Sequence, residues 1–169
     1  VMQQIDPTQV TDNFISLIGK EWMLITAGNL SSFNTMTASW GAVGYLWNRP
    51  VAFIFVRPER YTFEFIERND RFTLSFLGDT HREAYKICGS RSGRNTNKIE
   101  EANLHPLVTP SGLVTFEEAR LTLDCQKIYT TPIQKDSFID PAIYKQWYGG
   151  THGGDHKLYI GAINECYVR

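Results

Sequence analysis

Charged and hydroxyl side chains that suit a phosphate group follow an apolar run in the first half of the chain. Arg57, Arg60 and Thr62 come directly after residues 51–56, a short β-branched and aromatic run that predicts a buried strand. The residues after Thr62 have helical spacing, and Thr62 is predicted to be the N-cap of that helix. Helix starts concentrate unpaired N–H groups, and arginine adds planar, charge-assisted donors. The segment therefore predicts an anion site, with Arg60 and Thr62 favoured over Arg57 because they lie closest to the helix start.

A second candidate anion site is the loop 89–93, Gly-Ser-Arg-Ser-Gly, which precedes Lys98. Its backbone could form a nest for an anion, with two serine hydroxyls and the lysine charge beside it. The loop is not a P-loop, because no Gly-Lys-Ser/Thr follows it. Plainer alternatives stay open: the arginines could pair with Glu59 or Glu64 at the surface, and the loop could be an ordinary turn. The sequence does not divide phosphate binding between the two segments.

Hydroxyl and apolar side chains alternate along residues 34–40, Asn-Thr-Met-Thr-Ala-Ser-Trp. On a strand, Thr35, Thr37 and Ser39 would share one face and the intervening residues the other. One interpretation is that this strand presents donors and acceptors to a bound ligand. The alternative is a polar, surface-facing edge of an antiparallel strand.

Two histidines four residues apart, His152 and His156, have Asp155 between them and could bind a metal ion. The intervening glycines disfavour a helix, so the spacing does not support a zinc helix, and we expect no metal. His81 and His105 show no partner pattern and are predicted to lie at the surface. A Gly-x-Ser-x-Gly elbow and the Rossmann glycine pattern are both absent, which leaves no signature of a nucleophilic triad or of a dinucleotide-binding fold.

Many strands and few helices are predicted, and the helices do not follow every strand. This pattern argues against a parallel doubly wound sheet and for an antiparallel, β-rich α+β barrel with peripheral helices. A capping-box spacing at Thr80 and an Asp140-Pro141 pair mark two helix starts. The predicted strands are 22–27, 36–43, 51–56, 72–77, 120–129 and 157–168. The predicted helices are 7–18, 62–69, a short one from Thr80 toward Cys88, a charged one that ends at Ala102 and one that begins at Asp140. The predicted loops are 28–34, 44–50 and 89–97.

Length and composition predict one domain over residues 1–169 of ordinary apolar content, with a net charge of −1. That charge gives no field to attract nucleic acid, and no apolar run is long enough to span a bilayer. Three cysteines without a Cys-x-x-Cys pair argue against a disulfide framework and a zinc site, and Cys125 and Cys166 are predicted to be buried thiols. No signal peptide is recognisable, so we expect a cytoplasmic protein.

Several ordered segments together resemble the flavin reductase-like family, which has an FMN-binding split barrel, and are most similar to its flavoredoxin branch. The segments are 22–28, 34–40, 47–50, 57–62, 89–93 with Lys98, and Gly154-Asp155-His156. The resemblance covers nearly the whole chain from Trp22 onward. It implies an antiparallel Greek-key split β-barrel with peripheral helices.

The resemblance also implies an FMN-dependent oxidoreductase that takes hydride from NADH or NADPH and passes electrons to free flavin or a redox protein. The phosphate would meet Arg60, Thr62, Ser90, Ser92 and Lys98, and the isoalloxazine ring would lie along residues 34–40, near a catalytic His156. Family members are usually homodimers, so we expect two chains. The full set of predicted cofactor-binding residues is Asn34, Thr35, Met36, Thr37, Ala38, Ser39, Trp40, Arg57, Arg60, Tyr61, Thr62, Ser90, Ser92, Gly93 and Lys98.

Two other functions stay open on sequence. Flavoredoxin-like members hold FMN and shuttle electrons between proteins without strong nicotinamide turnover. Related split barrels also hold pyridoxal phosphate or haem, and arginine and serine donors suit any phosphate. The absence of an acid–base triad does not count against a flavin enzyme, because the cofactor carries the electrons.

Overall fold

The computed structural model describes residues 2–150 and 153–169. Within them, eight antiparallel strands form one sheet in the order β3-β2-β6-β9-β10-β5-β4, with β1 paired to β10. A separate hairpin pairs β7 with β8. The strands are β1 Gln3–Ile5, β2 Met23–Asn29, β3 Ser32–Ala38, β4 Gly41–Leu46, β5 Arg49–Val56, β6 Arg71–Phe76, β7 Pro106–Val108, β8 Val114–Phe116, β9 Leu121–Pro132 and β10 Lys157–Val168.

The sheet must curl into a barrel because its two outermost strands are neighbours in sequence. β3 and β4 lie at opposite ends of the strand order, yet only Ser39 and Trp40 connect them. A connection of that length spans roughly 10 Å at most, so the two ends of the sheet approach each other there. This β3–β4 corner forms one wall of the groove described below. The predicted antiparallel, β-rich fold is confirmed.

Short helices surround the sheet, as predicted. They are α1 Phe14–Ser16, α2 Tyr61–Arg68, α3 Arg82–Ser90, α4 Lys98–Glu101 and α5 Pro141–Tyr148, with 3-10 turns at Pro7–Gln9, Asp79–His81 and Lys135–Ser137 and a π-helical turn at Leu17–Glu21. The predicted start of α5 is confirmed: the Asp140 side chain accepts a hydrogen bond from the Ala142 N–H, and Pro141 is the first helical residue. Among the described residues, no helix is long and apolar enough to cross a membrane.

Two hairpin turns are tighter than the sequence predicted. The predicted loop 28–34 is only a turn at residues 30–31, because the Asn29 side chain accepts hydrogen bonds from two following backbone N–H groups. The predicted loop 44–50 is the β4–β5 hairpin, which turns at Trp47 and Asn48 with φ of 51° and 62°. Positive φ at both central residues suits the twist of paired strands. Trp-Asn is not a residue pair that usually predicts such a two-residue hairpin turn. The single strand predicted over 36–43 is also wrong, since the barrel corner divides it.

Four predicted helix boundaries are wrong. The helix predicted over 7–18 is divided, because Asn13 accepts hydrogen bonds from the Ile15 and Ser16 N–H groups and starts a new helix that continues past Gly19. Thr62 is not the N-cap of α2; Arg60 holds that position without a side-chain capping bond. The capping box at Thr80 is not formed, since a 3-10 turn precedes α3. Helix α3 also extends to Ser90, into the predicted loop 89–97.

The hydrophobic core fills the barrel interior. Large side chains that are fully buried include Met23, Ile54, Phe72 and Tyr159, and a second cluster packs α3 against β8. Removing this much apolar surface from water is the main stabilising contribution to the fold. All three cysteines are free and buried, which confirms the prediction for Cys125 and Cys166 and adds Cys88.

We expect Gly28→Ala to lower the free energy of unfolding by at least about 2 kcal/mol, measured by urea denaturation. Gly28 has a φ of +111°, and a Cβ there would overlap the Ser32 carbonyl oxygen and lie 2.7 Å from the Phe33 Cα. Gly44→Ala is the matched control, because a Cβ at Gly44 meets nothing within 4 Å. Equal stability changes for the two variants would contradict the prediction.

Candidate functional site

A groove runs from the barrel corner toward α3 and contains two adjoining cavities that share Arg60. The first, the aromatic compartment, has a volume of about 270 Å³ and is lined by residues 36–40, Phe55, Arg57, Trp147 and His156. The second, the basic compartment, has a volume of about 230 Å³ and is lined by residues 59–61, residues 89–92 and Lys98. Residues far apart in sequence therefore combine a flat, ring-lined wall with a cationic end.

The basic compartment contains two cations that form no salt bridge with a carboxylate of the described residues. Lys98 is 3% exposed, and its Nζ donates to the Cys88 and Arg91 carbonyl oxygens at 3.3 and 3.2 Å. The Arg60 guanidinium donates to the same Cys88 oxygen at 3.4 Å. Neither cation belongs to a salt bridge within the described residues, whereas the nearby Arg94 pairs with Glu64.

The electrostatics of these two groups favour an anionic ligand. Burial, followed by the neighbouring Arg60 charge, lowers the pKa of Lys98 to about 8. Burial likewise lowers the pKa of Arg60. Holding two desolvated cations close together is unfavourable unless an anion joins them. A phosphate group has the charge and the acceptor oxygens that such a site requires.

The serines of the predicted loop line the same compartment. Ser90 Oγ donates to the Lys86 carbonyl oxygen at 2.7 Å, and Ser92 Oγ accepts from the Arg94 N–H at 3.2 Å. Each hydroxyl keeps hydrogen-bonding capacity toward a ligand, since a hydroxyl carries one donor and two acceptor positions. The structure thus brings Arg60, Ser90, Ser92 and Lys98 together.

Thr62 and Arg57 lie outside the basic compartment and have partners of their own. Thr62 is buried, and its hydroxyl accepts from Asn34 Nδ2 at 2.8 Å, which ties β3 to α2. The Arg57 guanidinium donates to the carbonyl oxygens of Gly154 and Trp147 at 2.7 and 2.9 Å. Arg57 thereby fastens the end of α5 and the segment that precedes β10 to the edge of the aromatic compartment.

Strand β3 contributes to the groove over its last residues. Met36, Thr37, Ala38, Ser39 and Trp40 line the aromatic compartment, whereas Thr35 does not. The Thr35 hydroxyl is buried against that of Thr26 at 2.8 Å, and Thr37 Oγ1 donates to the Tyr85 carbonyl oxygen. A surface-facing polar edge is therefore wrong for Thr35 and Thr37, because both hydroxyls form internal hydrogen bonds.

The far wall of the aromatic compartment is a cluster of rings. The Trp40 ring is 5.0 Å from Trp147 and 5.4 Å from His156, measured between centroids. His156 is 7% exposed, and its Nδ1 lies 2.8 Å from the Tyr148 hydroxyl. Burial, together with the charge of Arg57, lowers the pKa of His156 to about 4. The imidazole is therefore neutral near pH 7 and can hydrogen-bond to a ligand without adding charge.

Helix α5 supplies ring-wall residues that the sequence analysis missed. Trp147 lines the aromatic compartment, and Tyr148 holds His156. The signal available in the sequence was the aromatic run along α5, but nothing local indicates that this helix packs against a corner a hundred residues earlier. Phe55, on β5, was assigned only to the core.

Asn34 and Gly93 lie beyond the basic compartment, and Tyr61 lies at its border with the next cavity. They line a third cavity of about 690 Å³, which also contains residues 94–97 and is here named the amide compartment. Tyr61 and Lys98 line both cavities, so the groove is continuous.

Two histidine predictions have different outcomes. His105 is exposed, as predicted, but it has partners that the sequence did not indicate: its Nδ1 lies 2.7 Å from a Glu118 carboxylate oxygen and 3.8 Å from a Glu117 oxygen. The other prediction is that the spacing of His152 and His156 does not form a metal site. It stays a prediction, because His152 lies outside the described residues.

Because His156 is buried in the neutral form, we expect it to destabilise the fold in acid. The carboxylates of Glu59 and Asp155 oppose the effect of Arg57, yet the folded pKa stays below that of an unfolded histidine. The unfolded chain then binds more protons between about pH 6.5 and pH 4, so stability falls as pH falls through that window. From pH 7 to pH 5 we expect the wild type to lose about 2 kcal/mol more than His156→Gln, measured by urea unfolding. Equal losses would contradict this assignment.

Comparison with known proteins identifies the family. The sequence model described as Flavin reductase like domain matches residues 15–169, and no curated protein matches the chain. A flavoredoxin from Methanosarcina acetivorans has a TM-score of 0.66 and 19% identity, covering 88% of this chain and 68% of that one. An FMN-binding domain of a flavin reductases-like enzyme from Shewanella baltica OS155 has a TM-score of 0.69 and 16% identity, covering 99% and 77%.

A third structure contains ligand fragments. The NADH:FAD oxidoreductase of Streptomyces globisporus C-1027, in complex with NAD and FAD fragments, has a TM-score of 0.63 and 16% identity, covering 88% of this chain and 74% of that one. At these identities the likeness shows a shared fold, which confirms the predicted split barrel. With the family match over residues 15–169, it follows that this chain belongs to the flavin reductase-like domain family.

Proposed function

We propose that this protein is a flavin-dependent oxidoreductase that holds FMN in the groove. The observation that carries the proposal is the pair of cations beside the aromatic compartment, Arg60 and Lys98, which have no carboxylate partner among the described residues. The phosphate would be held by Arg60, Lys98 and the serines at 90 and 92. The isoalloxazine ring would lie in the aromatic compartment. Charge, donor chemistry and the adjoining flat walls all fit an aromatic ring joined to a phosphate.

When bound, FMN supplies the chemistry of accepting hydride from a reduced nicotinamide and releasing electrons to an acceptor. The residues of this chain supply position and environment. Trp40 and Trp147 line the compartment and would offer ring surface to one side of the bound flavin. His156 offers a neutral ring nitrogen whose orientation is fixed by Tyr148. Because the imidazole stays uncharged near pH 7, it adds no positive charge of its own beside the ring.

We propose NADH or NADPH as the electron donor and either free flavin or a redox protein as the acceptor. The solved NADH:FAD oxidoreductase, which shares this fold, supports a nicotinamide donor. The likeness to a flavoredoxin supports the second candidate, an electron carrier that holds FMN with slow nicotinamide turnover.

The decisive experiment has a binding step and a turnover step. Apoprotein is titrated with FMN, riboflavin and pyridoxal phosphate, and the FMN complex is then mixed anaerobically with NADH or NADPH while flavin absorbance is followed. FMN binding with bleaching supports the reductase. FMN binding without bleaching by either donor leaves the carrier, and preference for pyridoxal phosphate overturns the flavin proposal.

We also propose that the protein forms a homodimer. Supporting this, apolar residues stay exposed around the β4–β5 turn and the distal part of β9, with Trp47 56% exposed and its ring 6.0 Å from that of Tyr129. Patches of this kind are typical of interaction surfaces. Light scattering of the wild type and of Trp47→Ser would test the proposed dimer. A monomeric wild type would contradict the proposal.

A further inference from the structure

Lys98 has a property that holding a phosphate does not require, because part of it is the free amine near neutral pH. Its side chain is 3% exposed, and the Arg60 guanidinium donates to the same Cys88 carbonyl oxygen as its Nζ. Burial and that neighbouring charge both disfavour the ammonium form and lower the pKa of Lys98 to about 8. At pH 7 about a tenth of Lys98 is then the free amine, against about one in three thousand for a lysine with the ordinary pKa of 10.5. A desolvated lysine beside a second cation is the kind that acts as a nucleophile.

The other lysines of the chain lie in different surroundings. Lys157 forms a salt bridge with Glu67, and the carboxylates of Glu67 and Asp70 raise the pKa of Lys127 against the effect of its burial. The exposed lysines are Lys20, Lys86, Lys135 and Lys145. Water solvates their ammonium groups, so they offer little free amine at pH 7. Burial beside an arginine, without a carboxylate partner among the described residues, therefore distinguishes Lys98.

The cavity around Lys98 suits a small phosphorylated compound that also carries a carbonyl group. The basic compartment has a volume of about 230 Å³, and Arg60, Ser90 and Ser92 line it with groups that can hold a phosphate without the lysine. Lys98 borders both the basic and the amide compartments, so a carbonyl group bound in either of them lies next to it. A phosphate anchor of this kind would keep an aldehyde beside the amine and raise its effective concentration there.

We propose that Lys98 of the apoprotein forms a reversible imine with small phosphorylated aldehydes that enter the basic compartment. The nitrogen lone pair of Lys98 attacks the carbonyl carbon, a C=N bond replaces the C=O bond, and the carbonyl oxygen leaves as water with the two hydrogens of the amine. No group is oxidised or reduced. The inference rests on the proposed phosphate site, because Arg60 and the two serines would hold the phosphate of either ligand. The adduct and FMN therefore exclude each other, and such aldehydes compete with flavin loading.

The test uses the full-length apoprotein at pH 7 with D-glyceraldehyde 3-phosphate and cyanoborohydride, which reduces an imine to a stable amine that peptide mass spectrometry locates. We expect Lys98 to be modified at least about tenfold faster than any other lysine, because more of it is the free amine. Glyceraldehyde, which lacks the phosphate, should modify Lys98 at least about tenfold more slowly than the phosphorylated aldehyde does. Saturating FMN should protect Lys98 from modification. Peptide mapping of the wild type does not depend on the folding of any variant.

Two variants complete the test. Lys98→Arg keeps a cation but removes the nucleophile, so position 98 should carry no adduct and total modification should fall to the level of the exposed lysines. Lys86→Met, which removes an exposed lysine of α3, is the matched control and should leave the modification rate of Lys98 unchanged. Equal modification of all lysines, equal rates with the two aldehydes, or no protection in a protein that binds FMN would each overturn the inference and leave the proposed function standing. Selective modification of Lys98 in a protein that does not bind FMN would overturn the proposed function and support the inference.

Discussion

We expect Arg60→Gln to weaken FMN binding about 100-fold and to leave riboflavin binding unchanged. Arg60 borders both the aromatic and the basic compartments, and a charge-assisted hydrogen bond to a phosphate typically contributes about 1.5–3 kcal/mol. A 100-fold loss corresponds to about 2.7 kcal/mol, in the upper part of that range. We place it there because the guanidinium is partly buried and, within the described residues, donates only one long hydrogen bond, 3.4 Å to the Cys88 carbonyl oxygen. Kd values from fluorescence quenching measure both ligands.

Riboflavin is the informative comparison, because it has the ring of FMN without the phosphate. Arg49→Gln, at the exposed start of β5, is the matched protein control, and it should bind FMN as the wild type does. If Arg60→Gln weakens riboflavin and FMN equally, Arg60 acts on the ring or on the fold and not on the phosphate. If neither ligand is affected, the basic compartment is not the phosphate site.

Elements with strong local signals could be predicted from the sequence. β10 has the predicted bounds, because its apolar residues alternate over its length, and α5 begins where Asp140 and Pro141 indicate. The break at Ser39 and Trp40 could not be predicted in the same way. Hydroxyl and apolar side chains continue to alternate through the corner, so the sequence shows no break there. The bend is imposed by closure of the barrel.

The candidate site was predictable where chemistry alone marks a residue. Lys98 and the two loop serines were predicted because hydroxyls and a charge near glycines are typical of anion sites, and Arg60 was predicted because it lies at a helix start. The structure places all four in one compartment. Thr62 has the same chemistry, but its hydroxyl is taken by Asn34, and only the packing of β3 on α2 shows that. Trp147 reaches the groove because Arg57 fastens its backbone there, a contact between residues ninety positions apart.

Lys98 should give apoprotein stability and FMN affinity opposite dependences on pH. Its folded pKa of about 8 lies below the ordinary lysine value of 10.5, so the unfolded chain binds more protons between those values. The contribution of Lys98 to apoprotein stability therefore rises with pH across that window. Phosphate binding requires the protonated form, so FMN affinity should fall about tenfold between pH 7 and pH 9. Riboflavin affinity should not follow this fall, because riboflavin lacks the phosphate.

Lys98→Met separates the two effects. We expect it to weaken FMN binding about 100-fold at pH 7, to abolish the fall above pH 8, and to leave the apoprotein at least as stable as the wild type. Stability does not suffer because methionine removes a desolvated cation whose two hydrogen bonds, at 3.3 and 3.2 Å, are long. Lys86→Met, an exposed lysine on α3, is the control and should keep the wild-type affinity and pH profile. If FMN affinity falls with pH equally steeply in Lys98→Met and in the wild type, another titrating group causes the loss of affinity above pH 8. The phosphate would then have to be held without the Lys98 charge.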